Sequence, residues 1–188
     1  MGRAEPRGLP GQGGAPTAQG APFPVHAARP YSFVRRFICA LLDWAEDPEE
    51  PASVEHVAGQ MFTDPTSVRA FYEDTSYGKV TLTGNVFGWY TLASPKSPCN
   101  YDAWASAARA RATAEGHDLS GYDHLIYAWP STACPWAGFA DQPGSTVYVN
   151  GVHSFGLDLR TVAHELGHNF GVGHANTLRC VDTSTAKG

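Results

Sequence analysis

The chain has 188 residues, of which 43% are apolar and 16% charged, with a formal net charge of -5 and a pI near 5.8. That length suits one domain, or one domain with a tail. No Lys/Arg stripe is present to neutralise phosphates, which argues against a nucleic-acid partner, and no window reaches the run of about 18 apolar residues that a membrane-spanning helix needs.

The opening, MGRAEPRGLPGQGGAPTAQGAPFPVHAARP, is rich in Gly, Pro and Ala. It cannot bury enough surface to offset the entropy of ordering, so residues 1–30 are expected to be disordered. They contain no apolar core of the length a signal peptide requires. A folded domain is expected over residues 31–188. Its first element is SFVRRFICALLDW, whose apolar, aromatic and β-branched content predicts a buried strand over residues 34–42. The acidic turn AEDPEEP follows. Ser53 then caps a helix that starts near Val54 and runs through VEHVAGQMF. The Asp64-Pro65 pair breaks this pattern or opens a second short helix, with Asp64 as N-cap and Pro65 in the first helical position. Val68, Phe71 and Tyr72 then fall on one face.

SYGKVTLTGNVFGWYTLA reads as a strand in which Gly84 and Gly88 mark a bulge or bend. YDAWASAARARATAEGHD is rich in Ala and straight-chain residues, hence a helix, with Gly116 as its stop. Residues 125–129 form a short apolar strand ended by Pro130, CPWAGFADQPG is a loop, and residues 146–149 form another short strand. FGLDLRTVAHELGHNFG is a helix with Asp158 as N-cap, an apolar stripe of Leu159, Val162, Ala163, Leu166 and Phe170, and Gly171 as its end. The order is strand, helix, strand, helix, strand, strand, helix, which predicts an α/β (α+β layered) domain with a mixed sheet. Cys39 lies in an apolar run and reads as a buried thiol. Cys99 and Cys134 both sit in proline-containing loops, where a disulfide and two separate thiols are equally compatible with the sequence. Closing that loop would contribute roughly 3–4 kcal/mol. Cys180 lies near the end of the chain.

The chemistry concentrates in HELGHNFGVGH, residues 164–174. Residues four apart on a helix lie about 40° apart around the axis and ~6 Å along it. His164 and His168 therefore share a face and can reach one metal ion, for which neutral imidazole is a good ligand. Glu165 sits beside the first ligand but rotated off it, where a base acting on a water molecule belongs. Gly171 allows a sharp turn that brings His174 back as a third ligand. Three protein ligands leave one position open, the catalytic rather than the structural arrangement. The bland alternative is a histidine-rich surface helix, but five agreeing positions arise by chance only about once in ten thousand such chains.

Outside this stretch the expectations are structural. His124 and His153 are surface or packing histidines, Glu73, Asp74 and Asp102 are solvated carboxylates, and Trp89 and Trp129 belong to the core. Trp136 could line a subsite, and Asn169 either orients a metal ligand or packs a helix face.

The spacing H-E-x-x-H-x-x-G-x-x-H is that of the metzincin metallopeptidases. DLRTVAHELGHNFGVGHA, with FYEDTSYGKVTLTGNVFGWY, LSGYDHLIYAWP and CPWAGFA, resembles the gametolysin family (peptidase family M11) over roughly residues 33–188. The resemblance implies a metzincin-like twisted mixed sheet with packed helices and a zinc-binding active-site helix. It implies one Zn2+ held by His164, His168 and His174, with Glu165 as general base. It implies that the strand before the zinc helix (Thr146, Val147, Tyr148, Val149 and Asn150) is a sheet edge that pairs with extended substrate. Substrates would be proteins or glycoproteins of an extracellular matrix or cell wall, and the protein would be secreted. Metzincins also carry a methionine turn downstream of the third histidine, whereas the methionines here, Met1 and Met61, lie upstream. The expectation is an upper catalytic subdomain whose lower, C-terminal part is missing. The rival expectation is a zinc-holding, matrix-binding homologue or fragment without turnover.

Overall fold

The computed structural model describes residues 33–175. The expectations for residues 1–30, for Cys180 and for the end of the chain lie outside the described residues. Nine elements of regular structure follow in order: strand β1 (Phe33–Trp44), helices α1 (Val54–Ala58) and α2 (Val68–Thr75), strand β2 (Val80–Leu92), helix α3 (Tyr101–Ala114), strands β3 (His124–Trp129), β4 (Gly138–Ala140) and β5 (Thr146–Asn150), and helix α4 (Leu159–Asn169). A π-helical turn, Gly59–Thr63, continues α1, and a 3-10 turn, Leu119–Gly121, precedes β3.

The strands form one twisted sheet in the order β2-β1-β3-β5-β4. β1 runs parallel to β2 and β3, β3 runs parallel to β5, and β4 is antiparallel to β5. The sheet is mixed, as the alternation of strands and helices predicts. β1 is an interior strand covered on both faces, which explains its near-continuous apolar run. Phe37, Cys39 and Leu41 enter one core with Val57, Met61, Val68, Val162 and Leu166. Ala40, Leu42 and Trp44 enter the other with Trp104, Ala105 and Ala108 of α3. Alternate residues of one strand thus separate α3 from α1, α2 and α4.

Three local predictions are corrected by the structure. β1 continues to Trp44, because Asp43 and Trp44 pair with Thr91 and Leu92 of β2. The second helix starts at Val68 rather than at Pro65. Asp64 is extended, as a residue before proline prefers, and its carbonyl accepts from the Ser67 amide in a turn. Ser67 Oγ then caps the helix by accepting from the Ala70 amide at 3.1 Å. The segment read as the loop CPWAGFADQPG contains β4, an edge strand of the sheet.

The bulge in β2 lies where the glycines place it. The β1–β2 register slips between Ala40↔Phe87 and Leu42↔Tyr90, and Gly88 in the slip has φ 114. A Cβ on Gly88 would lie 2.4 Å from the Leu41 carbonyl oxygen, so only glycine fits this approach. Cys99 and Cys134 are joined in a disulfide with a Cα–Cα distance of 5.0 Å, tying the loop before α3 to the loop after β3. Among the described residues, no helix is long and apolar enough to cross a membrane.

Candidate metal centre

α4 is set by its ends and its apolar stripe. Asp158 caps it, accepting from the Arg160 amide and from Thr161 Oγ1. Val162 and Leu166 are fully buried against the sheet. Tyr72 Oη of α2 donates to the Ala163 carbonyl at 2.7 Å and holds the helix from its other side. The far end closes at Gly171, whose φ of 86 lets the chain reverse. The Gly171 amide donates to the His168 carbonyl and the Val172 amide to that of Gly167, the paired bonds of a Schellman ending.

That reversal carries His174 back over the helix. The Nε2 atoms of His164 and His174 are 3.1 Å apart, as are those of His168 and His164. Among the described residues, these three histidines are the group of His, Cys, Asp or Glu side chains whose ligand atoms could meet on one ion. Two ligands of a tetrahedral zinc at the usual Zn–N distance are separated by about 3.3 Å, so the observed spacing fits that donor set. Nδ1 of His168 lies 2.9 Å from the Val172 carbonyl oxygen. A carbonyl only accepts, so Nδ1 carries the proton and Nε2 keeps its lone pair directed at the other two rings.

Glu165 is 8% exposed. Burial pushes its carboxyl above the ordinary range, opposed by the three histidines around it. β4 passes directly over it. A Cβ on Gly138 would lie 2.6 Å from Cγ and 2.7 Å from Oε1 of Glu165, so the absence of a side chain at Gly138 lets the strand cross there. Ala137, Gly138, Asp158, Arg160, Thr161, His164 and Glu165 line a groove of about 410 Å³ beside the histidines.

The structure corrects one predicted role. Thr146, Val147, Tyr148, Val149 and Asn150 do form the strand before the helix, but β5 is not an edge. Its residues pair with residues 125–129 of β3 on one side and with β4 on the other. Beyond the ladder, the Asn150 amide donates to the Ala137 carbonyl and the Asp141 amide to that of Thr146. No main-chain row of β5 is left for substrate, and the open edge belongs to β4. A three-residue strand containing Gly and Ala has no periodicity to betray it. Its one usable signal was the Gly-Phe-Ala run close before β5.

The remaining candidates are placed as follows. His124 is buried and stacked on Phe37 at 4.8 Å, with Phe170 edge-on at 5.3 Å. Burial lowers its pKa, against a hydrogen bond from its ring to Asn169. His153 closes a tight turn with Gly156. Asp102 accepts from Tyr148 Oη, and Glu73 is bonded to Arg69 and Thr81. Trp129 is fully buried, and Trp89 donates to the Ala52 carbonyl. Trp136 is half-buried between Tyr101 and Phe139.

Comparison with known proteins gives a family. The family model described as Gametolysin peptidase M11 matches residues 46–188. No curated protein matches the sequence. Among solved structures, one described as the structure of a chaperone-substrate complex is similar with a TM-score of 0.45 and 13% identity, over 78% of this chain and 25% of that one. Archaemetzincin from Methanopyrus kandleri is similar with a TM-score of 0.39 and 18% identity, over 75% of this chain and 76% of that one. The chain spans a quarter of the first of these structures.

Proposed function

This chain belongs to the gametolysin family of peptidases (M11), and on that premise we propose that it is a zinc-dependent endopeptidase acting on proteins or glycoproteins of an extracellular matrix or cell wall. The observation that carries the proposal is the convergence of three imidazoles beside a buried glutamate, with His164 Nε2 3.1 Å from Nε2 of both His168 and His174 and all three ligand atoms within 4.8 Å of one another. His164, His168 and His174 would hold one Zn2+. When bound, zinc lowers the pKa of a coordinated water toward about 7 and polarises the scissile carbonyl.

The chain's own residues perform the rest. Glu165, placed one residue after the first ligand, takes the proton of the attacking water on its carboxylate and passes it to the departing amine nitrogen. Its burial suits a group that must hold a proton for part of each cycle. The open edge of β4 pairs with an extended substrate backbone, which lays the scissile bond across the groove between Gly138 and His164. No covalent intermediate is needed. Secretion is part of the proposal, and the Cys99–Cys134 disulfide supports it, since such bonds persist in oxidising compartments.

The test is Glu165→Ala. The variant should keep its zinc and lose hydrolysis of a fluorogenic peptide by at least a factor of about 10². Cleavage at the wild-type rate would show that Glu165 is not the base.

A further inference from the structure

The connection between β4 and β5, residues 141–145, makes three attachments to the end of the zinc helix. Asn169, the residue after His168, is 5% exposed. Its side-chain amide donates one proton into this connection, to the Asp141 carbonyl at 2.9 Å, and the other to the Thr146 carbonyl at the start of β5 at 3.0 Å. Its own carbonyl accepts from the Gly144 amide at 3.2 Å. Gln142, an exposed residue of the same connection, donates through Nε2 to the Val172 carbonyl at 3.0 Å. That carbonyl is the one that accepts from the His168 ring. Asn169 is in turn oriented from behind. Because both its N–H groups point at carbonyls, its Oδ1 faces His124, so His124 Nδ1 is the donor across their 3.0 Å contact. The His124 ring is itself fixed between Phe37 and Phe170.

The helix end needs none of the side-chain bonds to terminate, since the Schellman pair satisfies the Gly167 and His168 carbonyls and the Gly144 amide satisfies that of Asn169. What the extra bonds fix is the position of the His168 ring, and of the Val172 carbonyl from which the chain runs on to His174. We infer that residues 141–145 form a clasp that presets two of the three histidines, with Asn169 and Gln142 as positioning residues and His124 holding the Asn169 amide in register. The inference rests on the proposed zinc site. Groups that orient a histidine ligand through its second nitrogen typically change metal affinity by about 10–100-fold when removed.

The experiment is a zinc titration in competition with a chromophoric chelator, on the full chain and four variants. The melting temperature of each metal-free protein and the visible spectrum of each Co2+-loaded form are measured alongside. Gln142→Ala removes one bond from an exposed side chain, so its metal-free melting temperature should stay at the wild-type value while zinc affinity falls about tenfold. Asn169→Leu and His124→Phe keep volume or ring stacking but remove the donors, and should lose up to about a hundredfold with an altered Co2+ spectrum. His124→Gln, which restores a donor toward Asn169, should recover part of the affinity lost in His124→Phe. A purely structural role would lower the metal-free melting temperature and leave affinity and spectrum unchanged. That result, or unchanged affinity in Gln142→Ala and His124→Phe together, would overturn the clasp. If Asn169→Leu does not fold, Gln142→Ala and the His124 pair decide. Failure of the wild-type chain to bind zinc would instead overturn the zinc site itself, and the clasp with it.

Discussion

Gly138→Ala probes the crossing of β4 over Glu165. The added Cβ would lie 2.6 Å from Glu165 Cγ, 2.7 Å from Oε1 and 2.8 Å from Thr161 Cγ2, against 3.4 Å for ordinary contact. Glu165 or the strand must therefore give by about 0.8 Å, the difference between 3.4 Å and 2.6 Å. The backbone conformation at Gly138 imposes no separate penalty, because its φ is not in the left-handed region. Two costs follow. Overpacking a close contact takes about 1–3 kcal/mol from stability. Displacing a proton-transfer group by most of an ångström slows turnover by up to about 10²-fold, equivalent to about 2.7 kcal/mol of barrier. His164, His168 and His174 lie on the helix and its return turn, so zinc content should be unchanged. The assay is kcat on a fluorogenic peptide, with zinc content and melting temperature measured on the same preparation. A wild-type kcat at unchanged melting temperature would refute the argument, since it would mean that the strand does not constrain the carboxyl.

Leu166→Ala empties a fully buried position where α4 meets the sheet and should cost about 2–5 kcal/mol in a denaturant melt. Tyr72→Phe removes the hydroxyl that donates to Ala163 and should cost about 1 kcal/mol while leaving zinc stoichiometry intact. Replacing Cys99 and Cys134 together by alanine opens a loop with a sequence separation of 35 and should lower stability by about 4 kcal/mol on the chain-entropy account. The buried His124 has its pKa lowered, chiefly by desolvation. The unfolded chain therefore takes up that proton first, so the stability His124 contributes is present above its unfolded value of about 6.5 and is lost as pH falls toward the folded value. The melting temperature of the metal-free protein should fall on acidification from pH 7, and less steeply in His124→Phe. Identical slopes would contradict this assignment.

The metal helix was legible because several local signals agree on it. Asp158, the apolar stripe and Gly171 each predict the boundary that the structure shows, and the histidine spacing needs only a helix and a turn to bring the rings together. The bulge in β2 was legible for a similar reason, since glycines inside a strand mark close approach of backbones. The start of α2 was misplaced because Asp64-Pro65 and Ser67 both offer capping chemistry. Their choice depends on a turn whose closing bond, from the Ser67 amide to the Asp64 carbonyl, no periodicity encodes. Strand order was harder still. Thr146–Asn150 reads as a short apolar strand whether it is an edge or an interior strand, and only the unforeseen β4 decides that its second side is occupied. Asn169 shows the same limit at one residue. A polar side chain on a helix face does not announce its partners, and these come from β3 and from residues 141–146, distant in sequence.

The most direct test of the central claim is zinc stoichiometry measured together with casein hydrolysis, on the purified chain before and after chelation. The account predicts one zinc per chain, cleavage that stops when the zinc is removed, and recovery when it is restored. Binding of one zinc without any cleavage would contradict the assignment of turnover to this chain and would support the rival, a metal-holding homologue. Cleavage that survives complete removal of the metal would contradict the role given to His164, His168 and His174.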